Sequence, residues 1–281
     1  MEWNGFCEVN GTKLRTVVKG EGEVLLLLHG GYSNMTVWDE LAERLAISYT
    51  VIRYDQRGYG ESAAPSEPFS YYEDIKSVLD YFGIRKAHIA ASSFGGAAAI
   101  DFTLAHPEYV SKLVLVAPSI HGMKYPLRMQ WEGMADYLRV NRVGIEKAAR
   151  RFMNSRFWRY LIPRNESRAQ KLLEMYTANK VFYSSRPTLA KPLQPHALGR
   201  LEEVRQPVMI IEAGNDHPFN RKACQLLANR LPDSRKIVLA GSGHYPHLEY
   251  PVETVKILAA FLDGSLDHIN NDIIQPEVDL S

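Results

Sequence analysis

Short, continuous apolar runs alternate along this chain with segments whose apolar positions recur every three to four residues. The runs at 24–28, 50–54, 87–91, 112–117, 208–213 and 236–240 are rich in Val, Ile and Leu. Near-continuous runs of this kind predict strands covered on both faces. Between them, 36–46, 71–83, 94–106, 219–231 and 251–262 carry helical periodicity. Strand–helix alternation predicts an α/β fold, a mostly parallel central sheet flanked by helices. Two earlier stretches, 5–10 and 13–19, meet at Asn10-Gly11 and predict a hairpin.

The alternation lapses between about 121 and 200. That stretch shows no strand pattern and predicts helices near 127–140, 144–158 and 166–182. The expected organisation is a body made of 1–120 and 200–263, an inserted helical cap at 121–199, and an acidic tail, 264–281. The tail has no period and is expected to be loose. Composition sharpens this division. Lys and Arg number 33 against 32 Asp and Glu over all 281 residues, but 16 against 5 within 121–200. Five of the eight Met also fall there.

The near-neutral total removes the charge excess expected of a nucleic-acid binder. Cys7 and Cys224 are too few for a disulfide framework and stand in no metal-ligand spacing. They predict free thiols in a reducing compartment. The N-terminus lacks a basic stretch followed by a long apolar one, and the longest aliphatic run, 24–28, is too short to span a bilayer. The chain is therefore expected to be cytoplasmic, with no membrane span.

Four loops, each following a predicted strand, carry candidate chemistry. Ala91-Ser92-Ser93-Phe94-Gly95 joins a strand to a helix. A serine at such a sharp turn stands clear of the sheet, and small residues two before and two after it permit the bend. Ser93 fits as nucleophile, with the Phe94 N–H aimed at a developing oxyanion. Ser92 does not fit, because Phe94 would fill its small-residue site. His29-Gly30-Gly31 can aim a second amide, that of Gly31, at the same oxyanion, with His29 bracing the loop. Asp216 ends a strand; it could orient an imidazole or merely cap the next helix. His244 follows a loop with glycines at 241 and 243 that leaves it free to reach a nucleophile, and His247 reads as structural. No HExxH or CxxC completes a metal site, so no metal or other cofactor is expected. The order Ser93, Asp216, His244, each at the carboxyl end of a strand, fits a serine activated by a base and an orienting acid.

With these motifs the chain resembles the α/β-hydrolase superfamily, in its compact form with a helical cap. The resemblance covers roughly 5–120 and 200–263. It rests on the loops above, on Asp55-Gln56-Arg57-Gly58-Tyr59-Gly60-Glu61-Ser62 and on Gly243-His244-Tyr245-Pro246-His247-Leu248-Glu249. It implies Ser93 as nucleophile, His244 as acid and base, Asp216 as orienter, and Gly31 and Phe94 as the oxyanion hole. Asp55 and Arg57 would brace loops. Ala91 departs from the usual glycine of the turn.

Within that family Ser93 argues against the members with an aspartate nucleophile. Tyr32-Ser33 argues against the prolyl peptidases. Ser92 and Tyr245 argue against the carbon–carbon hydrolases of aromatic degradation, which usually carry Asn and Trp there. The expected function is hydrolysis of a small-molecule carboxylic ester or lactone through an acyl-enzyme. A carbon–carbon hydrolase comes second, and a slow-turnover ligand receptor on the same fold comes third. The Met and aromatic content of 121–199 suggests an apolar pocket, and an arginine reaching it would bind a carboxylate.

Overall fold

The computed structural model describes residues 1–185, 187–266 and 272–275. Among the described residues nine strands form one sheet in the order β1-β2-β4-β3-β5-β6-β7-β8-β9. They are β1 (Trp3–Val9), β2 (Thr12–Lys19), β3 (Glu23–Leu28), β4 (Tyr49–Tyr54), β5 (Ala87–Ser92), β6 (Val110–Val116), β7 (Val208–Ala213), β8 (Ser234–Leu239) and β9 (Ile273–Ile274). The β1–β2 hairpin turns at Asn10 and Gly11, which both have positive φ, 49° and 65°. That is the turn type an Asn-Gly pair prefers. β2 pairs antiparallel with β1 and β4, and every other pairing is parallel. Leu25 to Leu28 are all fully buried, as continuous apolar strands in a doubly covered sheet must be.

Five helices follow strands as the periodicity predicts: α1 (Asp39–Leu45), α2 (Tyr71–Tyr81), α3 (Ser93–Ala105), α8 (Pro218–Arg230) and α10 (Pro251–Asp263). A one-turn helix, α9 (Pro246–Glu249), precedes α10 and was too short to show a period. One apolar cluster includes Leu25, Leu27, Ala90, Val114, Met209 and Ile257, and a second includes Leu26, Leu28, Ile52, Ile89, Ile100 and Ile210. Alternate residues of β3 thus enter different clusters, the mark of a sheet packed on both faces.

Between β6 and β7 lie α4 (Leu127–Val143), α5 (Ile145–Met153), α6 (Glu166–Ala178) and α7 (Lys180–Ser184). The expected helix over 144–158 stops at Met153, and a 3₁₀ turn, Trp158–Leu161, follows. The expected helix over 166–182 is broken at Asn179, whose side chain bridges the sheet body: its Nδ2 donates to the Ser33 carbonyl at 3.0 Å and its Oδ1 accepts from the Gly60 N–H at 2.9 Å. Tertiary hydrogen bonds, invisible to periodicity, win there.

The expectation of a loose tail over 264–281 needs correction at one place. Val238 and Leu239 pair in parallel with Ile273 and Ile274, and the Val238 and Ala240 N–H groups donate to the Asp272 and Ile274 carbonyls. Two isoleucines thus cover backbone groups that an edge strand would leave open. The stretches 267–271 and 276–281 of that tail lie outside the described residues. Among the described residues no helix is long and apolar enough to cross a membrane.

Candidate active site

The turn from β5 into α3 holds Ser93 at φ 50°, a left-handed conformation that non-glycine residues rarely adopt. That conformation is maintained by its surroundings. Ala91 sits fully buried in β5 and keeps ordinary strand backbone, so the missing glycine costs nothing there. Gly95 is different: a Cβ there would stand 2.4 Å from the His29 carbonyl oxygen, so α3 approaches the end of β3 too closely for any side chain. Ser92, the neighbouring hydroxyl, is buried and has no hydrogen-bond partner among the described residues.

Ser93 Oγ lies 2.8 Å from His244 Nε2, and His244 Nδ1 lies 2.7 Å from Asp216 Oδ2. Three residues predicted from separate loops, 123 and 28 positions apart, therefore form one continuous hydrogen-bonded line. Asp216 Oδ1 accepts from the His217 N–H at 2.6 Å and from Asn220 Nδ2 at 2.8 Å, so the carboxylate has one oxygen fixed and the other aimed at the imidazole. Asn220 Nδ2 also stands 3.2 Å from His244 Nδ1. Two donors face each other across that gap, so the Nδ1–H bond runs to Asp216. Asn220 was not singled out from the sequence; its place four residues beyond Asp216 on α8 was the available signal.

The histidine loop is tied to the inserted segment, because the His244 N–H donates to the Tyr160 carbonyl at 2.9 Å. Its neighbour Tyr245 is fully buried and donates its hydroxyl to the Gly31 carbonyl at 2.9 Å. Tyr245 thereby braces the loop that carries the Gly31 amide. Gly31 and Phe94 both line the cavity into which Ser93 and His244 open. As the second residue of α3, Phe94 has an N–H with no acceptor within its helix.

His29 is fully buried. Its Nε2 accepts from the Gln56 N–H at 2.9 Å and its Nδ1 lies 2.8 Å from the Gly30 carbonyl. Burial pushes its pKa down to about 4, so it is neutral and braces the loop. Asp55 accepts from the Met35 and Glu61 N–H groups at 2.8 and 2.9 Å, and burial raises its carboxyl to about 6. Arg57 grips Asp74 with two bonds of 2.9 and 2.6 Å. His247 stacks on Trp38 at 4.1 Å between ring centres, buried and with its pKa pushed down to about 3 by burial. Cys7 and Cys224 are buried free thiols. No group of three or more metal-ligating side chains occurs among the described residues.

The cavity above Ser93 measures about 300 Å³. Tyr32, Met129, Trp158, Tyr160 and Leu161 form much of its wall, and most of these come from the inserted segment. No Lys or Arg is among the described residues that line it. Among the described residues, no arginine of the basic 121–199 stretch reaches this wall, where one was expected to meet a carboxylate.

A sequence profile described as "Alpha/beta hydrolase family" matches residues 25–257. The chain belongs to the alpha/beta hydrolase family. A 2-hydroxy-6-oxononadienedioate/2-hydroxy-6-oxononatrienedioate hydrolase of Paraburkholderia phymatum is 27% identical over 266 residues, 90% of this chain and 92% of that one. Other curated relatives align over only 34% or 43% of their own length. Among solved structures, a thermophilic esterase from Thermogutta terrifontis superposes with a TM-score of 0.78 at 19% identity, over 94% of this chain and 98% of that one. The enol-lactonase from Burkholderia xenovorans LB400 gives 0.77 at 18% identity, over 92% and 99%. These two likenesses establish the shared fold. The α/β fold and the hydrolase family expected from the sequence are thus both found.

Proposed function

We propose that this alpha/beta hydrolase cleaves carboxylic ester or lactone bonds of uncharged small molecules through an acyl-enzyme on Ser93. The observation that carries the reading is the Ser93–His244–Asp216 line opening onto a cavity without a cationic wall residue among those described. In the first step His244 Nε2 takes the Ser93 proton as Oγ attacks the carbonyl carbon. The carbonyl electron pair moves to oxygen, which accepts hydrogen bonds from the Gly31 and Phe94 amides. Collapse breaks the C–O bond, and the imidazolium protonates the departing alcohol. Water, deprotonated by His244, then attacks the acyl carbon and frees Ser93 and the acid. Asp216 holds the imidazole in the tautomer that presents a bare Nε2 and stabilises the charged form. His244 makes every proton transfer in this scheme and the backbone amides only stabilise the oxyanion, so it calls on no metal or cofactor. Residues 121–199 act as the cap, and Tyr32, Met129 and Trp158 size the acyl or alcohol group.

A carbon–carbon hydrolase is the second reading, favoured by the near full-length likeness to the Paraburkholderia phymatum protein. The dienedioate in that protein's name is a dicarboxylate, and a wall without Lys or Arg among the described residues gives it no counter-ion. The test is hydrolysis of p-nitrophenyl acetate, butyrate and octanoate by wild type and Ser93→Ala, beside a chromogenic dienoate. Ester turnover that falls at least about 10³-fold in the variant supports the proposal. Turnover of the dienoate alone replaces it with the second reading, and equal ester turnover by both proteins removes Ser93 from the chemistry.

A further inference from the structure

Helix α4 is apolar on two opposite sides. Met129, Asp136 and Val140 face inward and are buried, with Asp136 Oδ2 accepting from the Tyr176 hydroxyl at 2.7 Å. At about 100° per residue, Leu127, Trp131, Met134 and Leu138 fall within an arc of about 60° on the far side. They are 83%, 74%, 55% and 58% exposed. Trp131 stands out further, since Trp38 and Trp158 are buried and Trp3 is half-buried. A contiguous ridge of this kind marks an interaction surface, not ordinary scattered exposure. Met134 also borders the cavity above Ser93, so the ridge runs along the rim of the candidate site.

Charge identifies the partner. On the helical projection Arg142 and Arg128 follow the ridge along one edge, Arg128 with Glu132 at 4.0 Å, and Gln130 and Asn141 along the other, whereas Arg139 is half-buried and bonded to Asp136 at 3.3 Å. The surrounding 121–200 stretch carries 16 Lys and Arg against 5 Asp and Glu. We propose that the outer face of α4 docks on an anionic lipid surface. The four apolar side chains enter the boundary between headgroups and acyl chains, and Arg142 and Arg128 meet headgroup phosphates. A second copy fits less well. An antiparallel two-fold pairing of α4 lays each flank over its own equivalent, so Arg142 and Arg128 would face the same arginines of the second copy. Side chains this exposed project from the helix, and a soft lipid phase accommodates them.

The test uses the full chain and vesicles of equal parts phosphatidylglycerol and phosphatidylcholine, beside vesicles of phosphatidylcholine alone. Expected are co-sedimentation with the anionic vesicles, a blue shift of tryptophan emission, and release at about 0.5 M salt. The double variant Trp131→Ala/Leu138→Ala should bind at least about 10-fold more weakly while melting at the wild-type temperature, both residues being exposed. Arg128→Ala/Arg142→Ala should weaken anionic binding and leave little salt dependence. Absence of vesicle binding, or equal binding by wild type and Trp131→Ala/Leu138→Ala, overturns the proposal. So does a dimer that this variant dissociates in the absence of any vesicle binding, which would make the face a contact between copies. None of these readouts requires turnover, so they stand apart from the hydrolase reading.

Discussion

Asn220 shows how much one side chain outside the reacting line contributes. Its amide fixes the oxygen of Asp216 that does not face His244. Removing one hydrogen bond to a charged group costs about 1.5 kcal/mol or more, or roughly tenfold in rate if the bond matters most when the imidazole is charged. Asn220→Ala should therefore lower kcat on an ester about 10-fold with little change in KM, and Asn220→Ser should recover part of it. His247 carries a different prediction. Its pKa is pushed down to about 3 from an ordinary value of 6.5, so the unfolded chain takes up the proton more readily than the native one. Stability from this group is full above pH 6.5 and is lost as pH falls towards 3. At pH 5 the loss is about 2 kcal/mol relative to pH 7. Urea titrations of wild type and His247→Phe should show the variant with a flatter acid limb, because phenylalanine retains the stack on Trp38 without the titration.

At the scale of elements, the strand-to-helix turns depend on close backbone approach. α3 meets the end of β3 where Gly95 faces the His29 and Leu28 carbonyl oxygens, at 2.4 and 3.0 Å from an added Cβ. The atoms in the way are backbone and cannot swing aside, so Gly95→Ala should destabilise by about 3 kcal/mol, the upper end for overpacking. Chemical denaturation would report this, and the folded variant should also lose activity as Ser93 shifts. The same loops could be read in the sequence because each is short, follows an apolar run and carries its glycines at fixed offsets. The helices of 121–200 were harder. Periodicity marks which face is apolar but not where a tertiary hydrogen bond ends a helix, and Asn179 ends one by bonding to Ser33 and Gly60.

For the whole molecule, the inserted helices and the sheet body share the candidate site. Tyr160 receives the His244 N–H, Asn179 bridges two body loops, and Met129 and Trp158 wall the cavity over Ser93. Asn179→Ala removes two of these links at a cost of about 2 kcal/mol. The expected outcome is faster protease cleavage within 121–199 and a raised KM, with smaller change in kcat. Unchanged cleavage would mean that the apolar contacts alone hold the insertion in place. Met129→Ala or Trp158→Ala enlarges the cavity and should move ester preference from butyrate towards octanoate.

Apolar runs, turn glycines and the order serine, aspartate, histidine determined by themselves the α/β class and the residues of the candidate line, and the motifs they form carried the resemblance to the family. Those are local signals: a buried strand, a tight turn and a reactive side chain at a strand end are each written in a few consecutive residues. What tertiary structure alone decided was Asn220 as the second support of Asp216, Tyr245 as the brace of the Gly31 loop, and the pairing of Ile273–Ile274 with β8. It also decided that no Lys or Arg joins the described cavity wall although the inserted stretch is strongly basic. Each of these depends on contacts between residues far apart in the chain. Direction and distance between such residues arise only when the sheet is assembled.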